Sequence, residues 1–209
     1  MHWLELDGRA KQLEAYNNFL KYHSSEYDWA AFFDVDEMLC LKHMPDVKSF
    51  LASYDNYNAV AVNWRLFGNN AHICIHDNNY SLINRFRMAE YTCNKHVKTI
   101  VHTSKTCSMD VSFVNPHFVK QAVDCNFTVN TAKTKFVHGP FNKDFDDTAQ
   151  LNHYYCKTLD EYLLSKRARG RNDPQSDVVN GIYDIKKFSE ANKNDIEDLR
   201  AFNFWNDLA

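Results

Sequence analysis

Asp34 and Asp36 are the side chains best placed to do chemistry in this chain. They stand one residue apart, directly after the apolar run Trp29-Ala30-Ala31-Phe32-Phe33, and Glu37 follows them. An apolar run of this kind predicts a buried strand ending at Asp34. Ionised carboxylates are expensive to bury without a compensating partner. Along an extended chain, side chains alternate with a period of two, so Asp34 and Asp36 are expected to point the same way. Two hard oxygen donors on one strand end suit Mg²⁺ or Mn²⁺, and such an ion in turn binds phosphate oxygens. The plain alternative is an acidic turn that holds no ligand.

Several elements must position these carboxylates. Trp3–Asp7 reads as a short strand, and Leu13, Tyr16 and Leu20 fall at helical spacing within Arg9–His23. Pro45-Asp46 opens a second helix, with proline suited to a first turn. Ala59–Phe67 reads as a strand running into the loop Gly68-Asn69-Asn70-Ala71-His72. Lys95–Val101, Phe113–Lys120 and Thr134–His138 have strand-like content, and Ala149–Tyr155 alternates as an edge or half-buried strand would. Thr158 with Glu161 forms a capping box for the helix Leu159–Lys166, which ends in the basic loop 167–174. Ile196, Leu199, Phe202 and Trp205 predict a C-terminal helix within 190–209. The alternation of helix and strand predicts one α/β domain spanning 1–209.

Composition narrows the function classes. A chain of 209 residues with 44% hydrophobic content can bury one core of ordinary size. A net charge of -3 argues against general affinity for nucleic acid or an anionic membrane surface. No stretch approaches the roughly 20 apolar residues of a membrane span. The start, Met1–Asp7, lacks the basic head and apolar run of a secretory signal. Cys40, Cys74, Cys93, Cys107, Cys125 and Cys156 are widely spread without zinc-finger spacing, which suggests reduced thiols and a cytoplasmic location.

Three segments bear on chemistry together. They are Trp29…Phe33-Asp34-Val35-Asp36-Glu37-Met38-Leu39, then Trp64-Arg65-Leu66-Phe67-Gly68, then Asn152-His153-Tyr154-Tyr155-Cys156-Lys157-Thr158-Leu159-Asp160-Glu161-Tyr162 with Lys166…Arg169-Gly170. In this order they resemble the glycosyltransferase families built on the GT-A fold, in particular family 92-like enzymes and family 2-like relatives. The resemblance covers roughly residues 7–172. It implies a Rossmann-like, GT-A-like mixed sheet flanked by helices, a nucleotide-sugar donor, and Mn²⁺ or Mg²⁺. It also implies a glycan, lipid or protein-linked hydroxyl acceptor, and inversion at the transferred carbon.

The resemblance further implies roles for single residues. Asp36 is the expected direct metal ligand, and Asp34 faces the ribose or reaches metal through water. His153 is a further ligand or a diphosphate contact, and Glu37 orients the metal ligands. Lys157, Lys166 and Arg169 hold phosphate oxygens by charge-assisted bonds, unless they belong to an ordinary solvated helix face. Arg85 and Lys98 lie in segments like the family's R-F and K-x-I elements and are expected at the donor. Trp64, Phe67 and Asn152 are expected on the sugar or acceptor side, with core packing the competing role for Phe67. Gly68 either lets backbone approach a ligand or supplies a turn. Inversion needs a carboxylate near the acceptor hydroxyl, for which Asp110 is named, with Asp77 as the alternative.

The chain departs from the family pattern at its start. The strand–helix unit that usually opens the domain, about 60–80 residues judged from ordinary domain size, is expected to be missing. That departure motivates a second reading, a sugar-binding remnant that kept the fold and lost the donor pocket. A third reading is a haloacid-dehalogenase-like phosphatase, which also sets D-x-D after an apolar strand. That class expects a glycine-aspartate element near its end, where this chain has Asp144…Asp146-Asp147 without the glycine.

Overall fold

The computed structural model describes residues 5–7, 11–75, 81–104, 111–120, 128–135, 139–167 and 185–207. Helix α1 (Gln12–Tyr22) precedes strand β1 (Trp29–Ala31), strand β2 (Glu37–Leu41) and helix α2 (Val47–Ala52). Strand β3 (Ala59–Leu66) leads to a short helix α3 (Leu82–Arg85), then to β4 (Met88–Ala89) and β5 (Val97–His102). Strands β6 (Ser112–Asn115) and β7 (Phe118–Lys120) pair with each other, and β8 (Thr128–Asn130) and β9 (Ala149–His153) follow. Helix α4 (Leu159–Glu161) continues as a π-helical stretch, Tyr162–Arg167. The chain then forms α5 (Ile185–Ala191), β10 (Ile196–Glu197) and α6 (Arg200–Asp207).

The main sheet is mixed, in the order β1-β5-β3-β9-β2, with β8 beside the start of β3. Strand β9 runs parallel to β3 and antiparallel to β2. Register decides which side chains share a face. Val62 pairs with Lys98, Trp64 with Leu151, and Glu37 with His153. With a period of two, Val60, Val62, Trp64, Lys98, Ile100, Leu151, His153, Glu37 and Leu39 therefore lie on one face. The apolar members of that face form a core with Phe50 and Tyr54 of the α2 region. The polar members gather at one end of it. On the opposite face, Leu13, Tyr16 and Leu20 of α1 pack with Ala59, Val101, Phe113 and Val119.

Local rules explain the helix starts. Asp46 accepts a hydrogen bond from the Ser49 amide at the head of α2, and Thr158 with Glu161 completes the capping box expected for α4. Other expectations need correction. The strand expected to run to Asp34 stops at Ala31. The segment at 149–153 is no edge strand, because β3 and β2 flank it and all five residues are buried. Its polar alternation faces a buried network instead of solvent: Gln150 accepts hydrogen bonds from Arg65 and Arg200 and donates to Asn152 and Asp198.

The C-terminal helix begins at Arg200, later than spacing suggests. Ile196 and Glu197 pair with β4, and the Asp198 carboxylate accepts the Arg200 amide at the helix head. Residues 5–7 form no strand, and within 134–135 pairing is limited to a bridge from Lys135 to Val129. Among the described residues, no helix is long and apolar enough to cross a membrane.

Candidate functional site

The acidic segment is a tight turn between β1 and β2. The Glu37 amide donates to the Asp34 carbonyl (2.9 Å), and the Asp34 amide donates to Glu37 Oε2 (3.1 Å). This reciprocal pair explains why the strand fails to continue: the Glu37 side chain satisfies a backbone donor that a sheet partner would otherwise take. The turn throws Val35 into solvent at 93% exposure, while Asp36 and Glu37 are buried. Period-two alternation therefore does not orient Asp34 and Asp36; the turn does.

Two lysines meet the carboxylates. Lys98 is fully buried, with its ammonium 3.3 Å from Asp34 Oδ2 and 3.6 Å from Glu37 Oε2. Lys157 sets its ammonium 3.4 Å from Asp36 Oδ2. Asp36 Oδ1 lies 3.9 Å from His153 Nε2, and the Tyr154 amide donates to the Asp36 carbonyl. Gln12 Nε2 donates to Asp34 Oδ1 at 2.9 Å, tying α1 to the turn. Burial pushes the Glu37 carboxyl up to about 7, against the lowering effect of Lys98 and with a further rise from Asp34. Glu37 Oε1 is buried and has no hydrogen-bond partner among the described residues.

Asp36 and His153 stand within the span that one divalent cation can bridge. Two donor atoms each about 2.1 Å from one ion stand at most about 4.2 Å apart, and the observed separation is 3.9 Å. Among the described residues, no cluster of three histidine, cysteine or carboxylate side chains gathers to hold a metal. A donor set of one carboxylate and one imidazole suits an ion that completes its coordination with ligand oxygens and water.

The Trp64 indole forms one wall of this end of the sheet. Its ring centroid is 4.2 Å from His153, 5.0 Å from His96 in a stacked arrangement, and 5.0 Å from His117 at its edge. The sequence motifs did not mark His96 and His117. The one available signal is a histidine within each of two expected strands. His117 Nδ1 lies 3.0 Å from the Val97 carbonyl, and burial pushes its imidazole down to about 4, with Lys98 adding to the fall.

The other expected site residues are placed as follows. Phe67 is 1% exposed and packs with Phe86, Ala89 and Tyr154, so it is core. Gly68 does allow a close approach, but by the chain itself, since a Cβ there would collide with the Lys193 carbonyl and the Asn194 side chain. Asn152 alternates with His153, lies on the opposite face and accepts from Gln150 at 2.6 Å. Arg85 engages Glu161 through two bonds of 2.7 and 2.9 Å. Lys98 has no solvent-facing ammonium and holds carboxylates. Asp110, the alternative Asp77 and Arg169 lie outside the described residues, and so does the Lys166 side chain. Asp34, Asp36, Glu37, Trp64, Lys98, His153 and Lys157 are thus brought together, while Phe67, Gly68, Asn152 and Arg85 are engaged elsewhere.

In comparison with known families, residues 5–167 match the model of glycosyltransferase family 92. A search of curated proteins finds no significant match.

Proposed function

The chain belongs to glycosyltransferase family 92, and from that premise we propose that it moves a sugar from a nucleoside-diphosphate donor to a hydroxyl acceptor on a glycan, lipid or protein. In this reading the mixed sheet is of the GT-A type. Asp36 and His153 would hold Mn²⁺ or Mg²⁺, and Asp34 would face the ribose or reach the metal indirectly. When bound, that ion supplies Lewis-acid stabilisation of the charge developing on the departing diphosphate.

The chain's own residues do the remaining work. Lys157 moves its ammonium from Asp36 Oδ2 to phosphate oxygens as the donor arrives, with Arg169 as the second phosphate contact of this reading. Lys98 balances Asp34 and Glu37, so the turn keeps its shape whether or not the donor is present. Trp64 offers the apolar ring that a pyranose face needs. Asp110 takes the acceptor's hydroxyl proton in an inverting displacement.

The observation that carries this reading is the arrangement around Asp36: one oxygen 3.9 Å from His153 Nε2, the other 3.4 Å from the Lys157 ammonium. A metal–diphosphate site needs a carboxylate with an imidazole that would ligate the metal on one side and a cation that would bind phosphate on the other. Calorimetric titration with uridine- and guanosine-linked sugars, with and without Mn²⁺, tests it. Mn²⁺-dependent heat that disappears in Asp36→Ala supports the reading; heat unchanged in that variant refutes it.

A further inference from the structure

Lys157 is not a glycine, yet its backbone has φ +54°, in the left-handed region that most residues avoid. Residues on both sides of it along the chain are hydrogen-bonded. The Tyr154 amide is bonded to the Asp36 carbonyl. On the other side, the Thr158 amide and hydroxyl both donate to Glu161 Oε2, at 3.1 and 2.8 Å. That same oxygen accepts from Arg85 Nη1 at 2.7 Å, while Oε1 accepts from Arg85 Nη2 at 2.9 Å. Thr158 is fully buried and the Arg85 side chain is 7% exposed, so the fork is shielded from water on its arginine side. A planar guanidinium bound through both nitrogens fixes direction as well as distance.

Resting on the functional reading above, we infer that Arg85 is a positioning residue for Lys157: through Glu161 and Thr158 it holds the left-handed backbone that keeps the Lys157 ammonium at Asp36. An ordinary helix cap would need only Thr158 and Glu161. The additional arginine orients the capping carboxylate against a second element, α3, and so fixes the turn from β9 into α4. The consequence has two signs. While Lys157 stands at Asp36, its charge opposes an incoming metal ion. When the metal brings a diphosphate, the same ammonium binds it. Loosening Lys157 therefore helps metal alone and harms metal with diphosphate.

The experiment measures two affinities by calorimetry in the full chain. One is for Mn²⁺ alone; the other is for uridine or guanosine diphosphate with Mn²⁺ saturating, following whichever nucleotide binds the parent better. Arg85→Met is expected to tighten Mn²⁺ binding by about three-fold and to weaken diphosphate binding by roughly ten-fold, the scale of effects from residues that orient ligands. In a Lys157→Met background, Arg85→Met is expected to change neither. A merely structural role lowers both affinities together and persists in that background, and either result overturns the inference. If Arg85→Met does not fold, Glu161→Gln carries the same test, since it keeps the cap's shape and loses the charge. A parent whose Mn²⁺ affinity is indifferent to Asp36→Ala overturns the functional reading itself, and this inference with it.

Discussion

Glu37→Gln isolates the electrostatics of the acidic turn. The Glu37 side chain has no exposed surface, and its carboxyl is pushed up to about 7, by burial first, against Lys98 and with help from Asp34. In the unfolded chain the same group titrates near 4.3. Between those values the folded state binds more protons, so stability present at acidic pH is lost as pH rises, by about 4 kcal/mol in total. His117 works with the opposite sign. Its imidazole is pushed down to about 4, against about 6.5 when unfolded. Stability therefore rises by about 3 kcal/mol as pH climbs through that window.

In the parent these two slopes offset each other. Glutamine keeps a carbonyl to accept the Asp34 amide and removes one slope, leaving that of His117. Urea denaturation with chelator present, at about pH 4.5 and about pH 8, should show the variant gaining about 3 kcal/mol on the parent across the interval. A parent–variant difference that stays constant with pH would refute the buried-carboxyl argument.

Gly68→Ala puts a Cβ against the Lys193 carbonyl and Asn194, so it should destabilise the fold by about 1–3 kcal/mol in urea melts. Hydrogen exchange should locate the loosening at residues 192–195, where Asn69 and Asn70 amides donate to Asn192 and Asn194. Asp198→Ala removes the carboxylate 3.4 Å from the buried Arg65 guanidinium and should lower stability by about 3–5 kcal/mol. Double substitution with Arg65→Met should recover part of that loss, and a merely additive result would contradict the pairing.

The legible parts of this protein were those carried by residue type within a short window. Asp34, Asp36 and Glu37 in one short motif, and His153 with Lys157 in another, carry the family resemblance, and the acidic turn together with the Glu37–His153 register brings them close to one another. The Thr158–Glu161 cap was legible for the same reason. Where expectation and structure part over Ala149–His153, the cause is long-range pairing. Nothing near Ala149–His153 reveals that β2 and β3 enclose it, so polar alternation was read as solvent exposure when Arg65, Asp198 and Arg200 supply the polar partners. The structure pairs Lys98 with Asp34 and Glu37, partners in a distant turn that its own segment does not announce. The turn itself was hidden because Glu37 caps it through a side chain, a bond that an apolar run does not foretell.

The most direct test is release of nucleoside diphosphate from a panel of nucleotide sugars, comparing Mn²⁺ with chelator and the parent with Asp36→Asn. The account predicts Mn²⁺-dependent release from at least one donor by the parent, and loss of that release in a variant that remains folded. Release that continues in chelator, or that the asparagine variant sustains at the parent's rate, would contradict it.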